Sequence, residues 1–310
     1  LRTSTFHLNL SLRIPMSNIR RIHRTCLEIL NRAVEKLRSE GLDRPRTNAE
    51  FLLGAVLCAK KVDLYLNRNR ILTPQQIEKF NQFIQERISG KPVQYIMGST
   101  EFFGLEFQVN QNVLIPRPET ETLVEIVIEH LKNCSQPKII DLGTGSGAIA
   151  ISLAKNLKSC FIFANDVSSE ALKVAKGNAR RHGVESQIEF ICGDLFEPLR
   201  NKNLEGETDC VVSNPPYVSK EEFEHLPKEV KDYEPIVALK TDEEGTFFHN
   251  KIIEGSLGFL KERGMLALEV GLGQANKVAG LVRNCGNFKN TEIKRDLGGI
   301  DRIVIAHKTY

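Results

Sequence analysis

One short stretch holds residue types able to act on a planar nitrogen: Asn214-Pro215-Pro216-Tyr217. The apolar run Cys210-Val211-Val212-Ser213 leads into it. Two consecutive prolines have fixed φ and no N–H, so they cannot continue a sheet ladder. A buried strand must stop there and present Asn214 at its carboxyl end, the edge where open α/β sheets bind ligands. The Asn214 side-chain carbonyl and the Pro215 backbone carbonyl supply two acceptors for the two N–H groups of a planar amine or amide. Such a nitrogen is a poor nucleophile because its lone pair is delocalised. Orienting it and favouring pyramidalisation would let it take a methyl group in line, with positioning carrying much of the catalysis. Asn214, Pro215 and Tyr217 are therefore candidate catalytic residues. Asn214, Pro215, Pro216 and Tyr217 form the candidate substrate grip, with Tyr217 offering an aromatic face. No metal is needed, and Glu119 is a candidate assisting carboxylate. All four motif residues also suit a plain turn; the buried strand before them and a glycine loop upstream argue against that reading.

The glycine loop is Asp141-Leu142-Gly143-Thr144-Gly145-Ser146-Gly147, after one apolar strand and before a helix. Its glycines permit positive φ and close backbone approach, and its N–H groups can hold an anionic group. Gly143, Thr144, Gly145, Ser146 and Gly147 are the candidate cofactor loop. Asp166 ends the next strand, placed to accept from both hydroxyls of a ribose. Asp194 follows the third strand, placed to meet an adenine amine, with Leu195 or Phe196 beside the ring. The loop alone is G-x-G-x-G and leaves a nicotinamide cofactor open. Asp166 or Asp194 alone would suit a helix cap. The series at successive strand ends, completed by Asn214, selects S-adenosyl-L-methionine.

Alternating elements must position these residues. Strands are expected at Ile139–Asp141, Cys160–Asn165, Ile188–Cys192, Asp209–Ser213, Met265–Val270, Thr291–Arg295 and Arg302–His307, with helices between most of them. That pattern predicts an α/β fold: a Rossmann-like, mainly parallel seven-stranded sheet over residues 113–310. Only Asp296 to Asp301 separates the last two strands, too short for a crossover, so they form an antiparallel hairpin. Upstream, residues 27–92 read as a small helical domain of three amphipathic helices. The first runs from Ile19 to Ser39, the second begins at Thr47 with Glu50 as capping partner, and the third begins at Pro74. Residues 93–112, with Tyr95, Ile96, Phe102, Phe103, Leu105, Phe107 and Val109, read as a β-hairpin linking the two parts.

Leu1 to Cys26 differs in composition. Arg2, Arg13, Arg20, Arg21 and Arg24 sit among Ser and Thr, and no acid precedes Glu28. This is the pattern of a mitochondrial transit peptide and predicts the matrix; a disordered basic tail or translated upstream sequence are the alternatives. The seven scattered cysteines form no C-x-x-C pair, a pattern that argues against a zinc site or disulfide framework and suits a reducing compartment. No apolar run is long enough for a membrane helix. A net charge of +3 without a concentrated basic patch gives no reason to expect stable nucleic-acid binding. Lys173, Lys176, Arg180 and Arg181, near one helix end, read as a solvated face complementing the helix dipole.

Gln94–Gly98 (QYIMG), Val113–Glu121 (VLIPRPETE), Asp141–Gly147 (DLGTGSG) and Ser213–Tyr217 (SNPPY) together resemble the HemK family of class I peptide chain release factor glutamine methyltransferases. The resemblance runs from about Ala33 to the C-terminus. It implies methylation of the glutamine in the Gly-Gly-Gln loop of release factors, a class I release factor as protein partner, and a helical domain suited to binding it. It also implies that Gly143–Gly147, Asp166, the Asp194-Leu195 corner and Asn214 contact the cofactor, and Asn214–Tyr217 the glutamine. With the basic arm, it points to the mitochondrial branch. Two departures stand out: Tyr233-Glu234-Pro235 carries tyrosine where phenylalanine is usual, and Lys240–Gly245 replaces a glycine-rich stretch. The competing readings are a nucleic-acid amine methyltransferase and a non-catalytic scaffold that binds a release factor or ribosome.

Overall fold

The structure, a computed structural model, describes residues 24–309. The arm expected at Leu1 to Cys26, and the helical turn expected from Ile19, lie outside the described residues except for Arg24 to Cys26. The chain forms two compact units that divide between Gln85 and Glu86.

In the first unit, Thr25 and Glu28 cap a helix at Cys26–Ser39 reciprocally. Cys26, Ile29, Leu30, Ala33, Val34 and Leu37 form its buried stripe. Gly41, in the left-handed region, ends it. The second helix starts at Pro45 and not at Thr47 (Pro45–Leu57), with left-handed Arg44 before it. Proline is pre-set for a first helical position, and Asn48 holds the entry by donating to the Asp43 and Arg44 carbonyls. Glu50 is consequently no cap. It is buried, and it takes Lys61 Nζ at 2.7 Å and the Tyr65 hydroxyl. Those partners lie on a short helix, Lys61–Leu66, that periodicity does not reveal because it buries only Leu64. A fourth helix, Pro74–Ile88, follows the reciprocal pair Thr73 and Gln76.

The second unit begins differently from expectation. Tyr95 and Ile96 lie in a short helix, Val93–Met97, closed by Gly98 at φ 78°. The hairpin itself is β1 (Ser99–Phe102) and β2 (Leu105–Gln108), turning through Phe103 and Gly104 at positive φ. It is not a separate linker. Phe102 and Phe107 are buried edge to face in the same core as the helix Pro118–Leu131.

The main sheet comprises β3 (Lys138–Leu142), β4 (Phe161–Asp166), β5 (Ile188–Cys192), β6 (Thr208–Ser213), β7 (Leu260–Glu269), β8 (Phe288–Arg295) and β9 (Asp301–Lys308). Its order is β5-β4-β3-β6-β7-β9-β8. β3 to β7 are parallel, and β9 runs antiparallel between β7 and β8. Both faces are covered, which is why the strands read as continuous apolar runs. Ile139, Cys210, Val212 and Ala267 meet the helices at Pro118–Leu131, Ala148–Asn156 and Ser169–His182. Ile140, Leu142, Val211 and Leu268 meet those at Phe247–Phe259 and Ala275–Asn284. The chain leaves β3 first toward β4 and β5, then returns to β6 on the other side. The crevice at that switch point holds the ends of β3 and β6.

If the hairpin belongs to this core, Phe107→Ala should destabilise the second unit by about 3–5 kcal/mol. Denaturant unfolding followed by circular dichroism would show it, and an unchanged midpoint would contradict the placement.

Candidate active site

The glycine loop is held by two carboxylates, Asp141 and Asp166. Thr144 is turned inward, donating its hydroxyl to Asp141 Oδ2 at 2.7 Å and its N–H to the Asn165 carbonyl at 2.9 Å. Asp141 is fully buried, and burial pushes its carboxyl up to about 7. Gly145 N–H donates to Asp166 Oδ2, and Ser168 N–H to Asp166 Oδ1, both at 2.9 Å. Burial raises the Asp166 carboxyl, and these two backbone donors oppose that. Ser146 is buried with its carbonyl taken by Asn178 Nδ2. Gly147 caps the next helix at φ 82°, where a Cβ would meet Ile151 Cδ1 at 2.8 Å.

A cavity of about 400 Å³ runs along this edge of the sheet. Of the sequence candidates, Gly143, Gly145, Asp166, Asp194, Leu195, Asn214, Pro215 and Pro216 line it. Thr144, Ser146 and Gly147 do not; they form the frame of the loop. Gly143 and Gly145 have positive φ, and a Cβ on either would project into open space. Leu195 adopts φ 41°, unusual for a leucine, and its carbonyl is held by Asn165 Nδ2 at 2.6 Å. The opposite wall includes Asn112, Val113, Leu114, Val237 and Phe247.

Asn214 follows β6 directly, beside Ser213, whose hydroxyl donates to the Leu142 carbonyl. Its Nδ2 donates to Thr120 Oγ1 at 3.2 Å, and Thr120 donates in turn to Glu269 Oε2 at 2.6 Å. Tyr217 turns away from the cavity. Its hydroxyl lies 3.5 Å from Glu269 Oε1, and its carbonyl accepts from Gln274 Nε2. Glu269, at the end of β7, is 1% exposed, and burial pushes its carboxyl up to about 7. Glu119, the expected assisting carboxylate, does not line the cavity; its charge helps keep the Glu269 carboxyl high. Sequence reasoning missed Thr120, Glu269 and Asn165. The available signal for Glu269 was a lone acid closing the otherwise apolar Met265-Leu266-Ala267-Leu268.

An ion pair and a hydrogen bond tie together the segments that carry Val113 and Pro235. Arg117 donates to the buried Glu234 Oε1 at 2.6 Å, and Tyr95 donates to the Val113 carbonyl at 2.6 Å. Burial raises the Glu234 carboxyl, and Arg117 opposes it. Tyr233, the departure from the usual phenylalanine, donates its hydroxyl to the Ser89 carbonyl at 3.0 Å.

A Rossmann-like sheet with an antiparallel last hairpin, an open glycine cradle after its first strand, carboxylates at its next two strand ends and Asn-Pro-Pro-Tyr after the fourth define an S-adenosylmethionine-dependent methyltransferase. Residues 28–98 match the PrmC N-terminal domain and residues 119–229 the methyltransferase small domain. The release factor glutamine methyltransferase of Moorella thermoacetica is 38% identical over 284 residues, spanning 92% of this chain and 99% of that protein. That of Fusobacterium nucleatum is 38% identical over 283 residues, spanning 91% and 78%. Among solved structures, the hMettl16 catalytic domain in complex with MAT2A 3′UTR hairpin 1 aligns with a TM-score of 0.53 at 18% identity, over 79% of this chain and 84% of that one, and shares the fold. The chain belongs to the release factor glutamine methyltransferase family.

Asp166→Ala should weaken S-adenosylmethionine binding about tenfold or more, because it removes a carboxylate that lines the cavity and anchors the Gly145 N–H. Calorimetry reads this directly, and an unchanged dissociation constant would count against the assignment.

Proposed function

We propose that the chain methylates the side-chain amide nitrogen of the glutamine in the Gly-Gly-Gln loop of class I peptide chain release factors. The observation that carries this is the orientation of Asn214. Its NH2 is committed to Thr120, so its carbonyl oxygen remains for an N–H donor. Asn214 Oδ1 and the Pro215 carbonyl can then accept the two N–H groups of a primary amide and turn its nitrogen for in-line approach. The names of the 38% identical relatives support a glutamine acceptor.

The surroundings support a protein acceptor over a nucleic acid. Val237 and Phe247 line the cavity yet are 54% and 47% exposed, giving an apolar rim. Lys173, Arg180 and Arg181 pair with Glu170, Glu185 and Glu106, so their charge is largely answered locally.

When bound, S-adenosyl-L-methionine supplies an electrophilic methyl group on a sulfonium. The open backbone at Gly143 and Gly145 fits its amino-acid end, Asp166 its ribose and the Asp194-Leu195 corner its adenine. The same proposal assigns the protein to the mitochondrial matrix. The arginine-rich, acid-free composition from Leu1 to Cys26 supports this reading, while the relatives named above are bacterial.

Labelled S-adenosylmethionine should label a release factor, but not its Gly-Gly-Ala loop variant, DNA or RNA. Asn214→Ala should lower turnover about 100-fold or more while cofactor affinity stays within a few-fold. Label on nucleic acid and none on the release factor would overturn the acceptor. Failure of the full chain to enter isolated mitochondria would overturn the location.

A further inference from the structure

An amide side chain has two ends of nearly equal size and opposite hydrogen-bonding sense. A glutamine acceptor carries the same two ends. If Asn214 were flipped, it would donate to the acceptor's carbonyl and turn the nitrogen away from the methyl donor. The site therefore needs something to fix one rotamer.

Thr120 cannot do so alone, because a hydroxyl both donates and accepts. An ionised carboxylate only accepts. Glu269 Oε2 takes the Thr120 proton at 2.6 Å, leaving Thr120 Oγ1 as an acceptor for Asn214 Nδ2 at 3.2 Å. Glu269 and Thr120 are 1% and 4% exposed, so water does not compete for the bond between them. The strand end is fixed as well. Glu269 registers against Ile303 of β9, and its own carbonyl meets His249 Nε2 at 2.9 Å. We propose that Glu269, acting through the Thr120 hydroxyl, is the positioning residue that directs the Asn214 carbonyl toward the acceptor amide. This rests on the glutamine reading above.

The charged and titratable groups facing Glu269 are Arg302 of β9, which favours its ionised form, Glu119 of the helix Pro118–Leu131, which opposes it, and the Tyr217 hydroxyl. Arg117 acts on that same hydroxyl. When Glu269 is protonated it can donate to Thr120, which reverses the relay and favours the flipped amide. Turnover should then fall as pH drops through about 7, where burial places this carboxyl.

The test uses the full chain with S-adenosylmethionine and a release factor. Thr120→Val should lower kcat about tenfold or more, with cofactor affinity and melting temperature nearly unchanged. Thr120→Ser should restore most of the loss, which a packing role for the methyl group would not. Glu269→Gln should lower kcat and flatten its acid limb. A second readout needs no acceptor: the Asn214 side-chain NH2, followed by 15N NMR, should exchange slowly in the wild type and quickly in Thr120→Val. Wild-type kcat in Thr120→Val, no rescue by Thr120→Ser, or fast exchange in the wild type would each overturn the proposal. Slow exchange without transfer to any release factor would instead sink the glutamine reading and leave the relay standing.

Discussion

A carboxylate buried at the carboxyl end of a strand must be met by donors, and this site depends on three that are. Asp141, the last residue but one of β3, receives Thr144. Asp166 closes β4 and receives the N–H groups of Gly145 and Ser168. Glu269 closes β7 and receives Thr120 from the start of a helix 149 residues earlier. Burial raises the carboxyl of each. Each therefore sets the conformation of the segment that supplies its donors. The first two shape the glycine loop, and the third reaches Asn214 through Thr120. The parallel register makes this possible by bringing all three strand ends to one edge.

Much of this arrangement was legible because its signals are local. Glycines at a strand-to-helix turn, a carboxylate after an apolar run and two consecutive prolines each reveal themselves within a few residues. The sense of each side chain was not legible. Thr144 looks like a ligand in the chain, yet its hydroxyl turns inward to Asp141, and Ser146 is buried with its backbone carbonyl held by Asn178. Tyr217 looked like a platform for the substrate, but its hydroxyl turns toward Glu269. Glu269 itself escaped because its partner is remote in sequence. Tyr95 and Ile96 were read as strand because two adjacent apolar residues fit either period, and the turn that decides between them is set by Gly98.

The fold does not by itself choose the acceptor. The hMettl16 catalytic domain shares the sheet at 18% identity. Outside the strands, the cavity is also lined from two segments, Asn112 to Leu114 and Pro235 to Phe248. The two departures from the family pattern, at Tyr233 and at Lys240 to Gly245, fall in or next to the second of these, and both find hydrogen-bond partners. Tyr233 bonds the Ser89 carbonyl. Asp242, within the stretch that replaces a glycine-rich loop, accepts the N–H groups of Thr246 and Phe247 and so caps the helix that carries Phe247.

The wall segment and the setting of Asn214 are not independent. Arg117 is extended and anchored on Glu234, and Pro118 follows as the first helical residue. Thr120 sits two residues further on, so the element that builds the cavity wall at Val113 and Leu114 also delivers the hydroxyl that holds Asn214. Prolines at 116 and 118 remove backbone freedom on both sides of Arg117. A shift of that turn by one residue would move Thr120 about 100° around its helix and leave both Glu269 and Asn214 without the shared partner. The proline spacing thus ties the cavity wall at Val113 and Leu114 to the hydroxyl that accepts from Asn214.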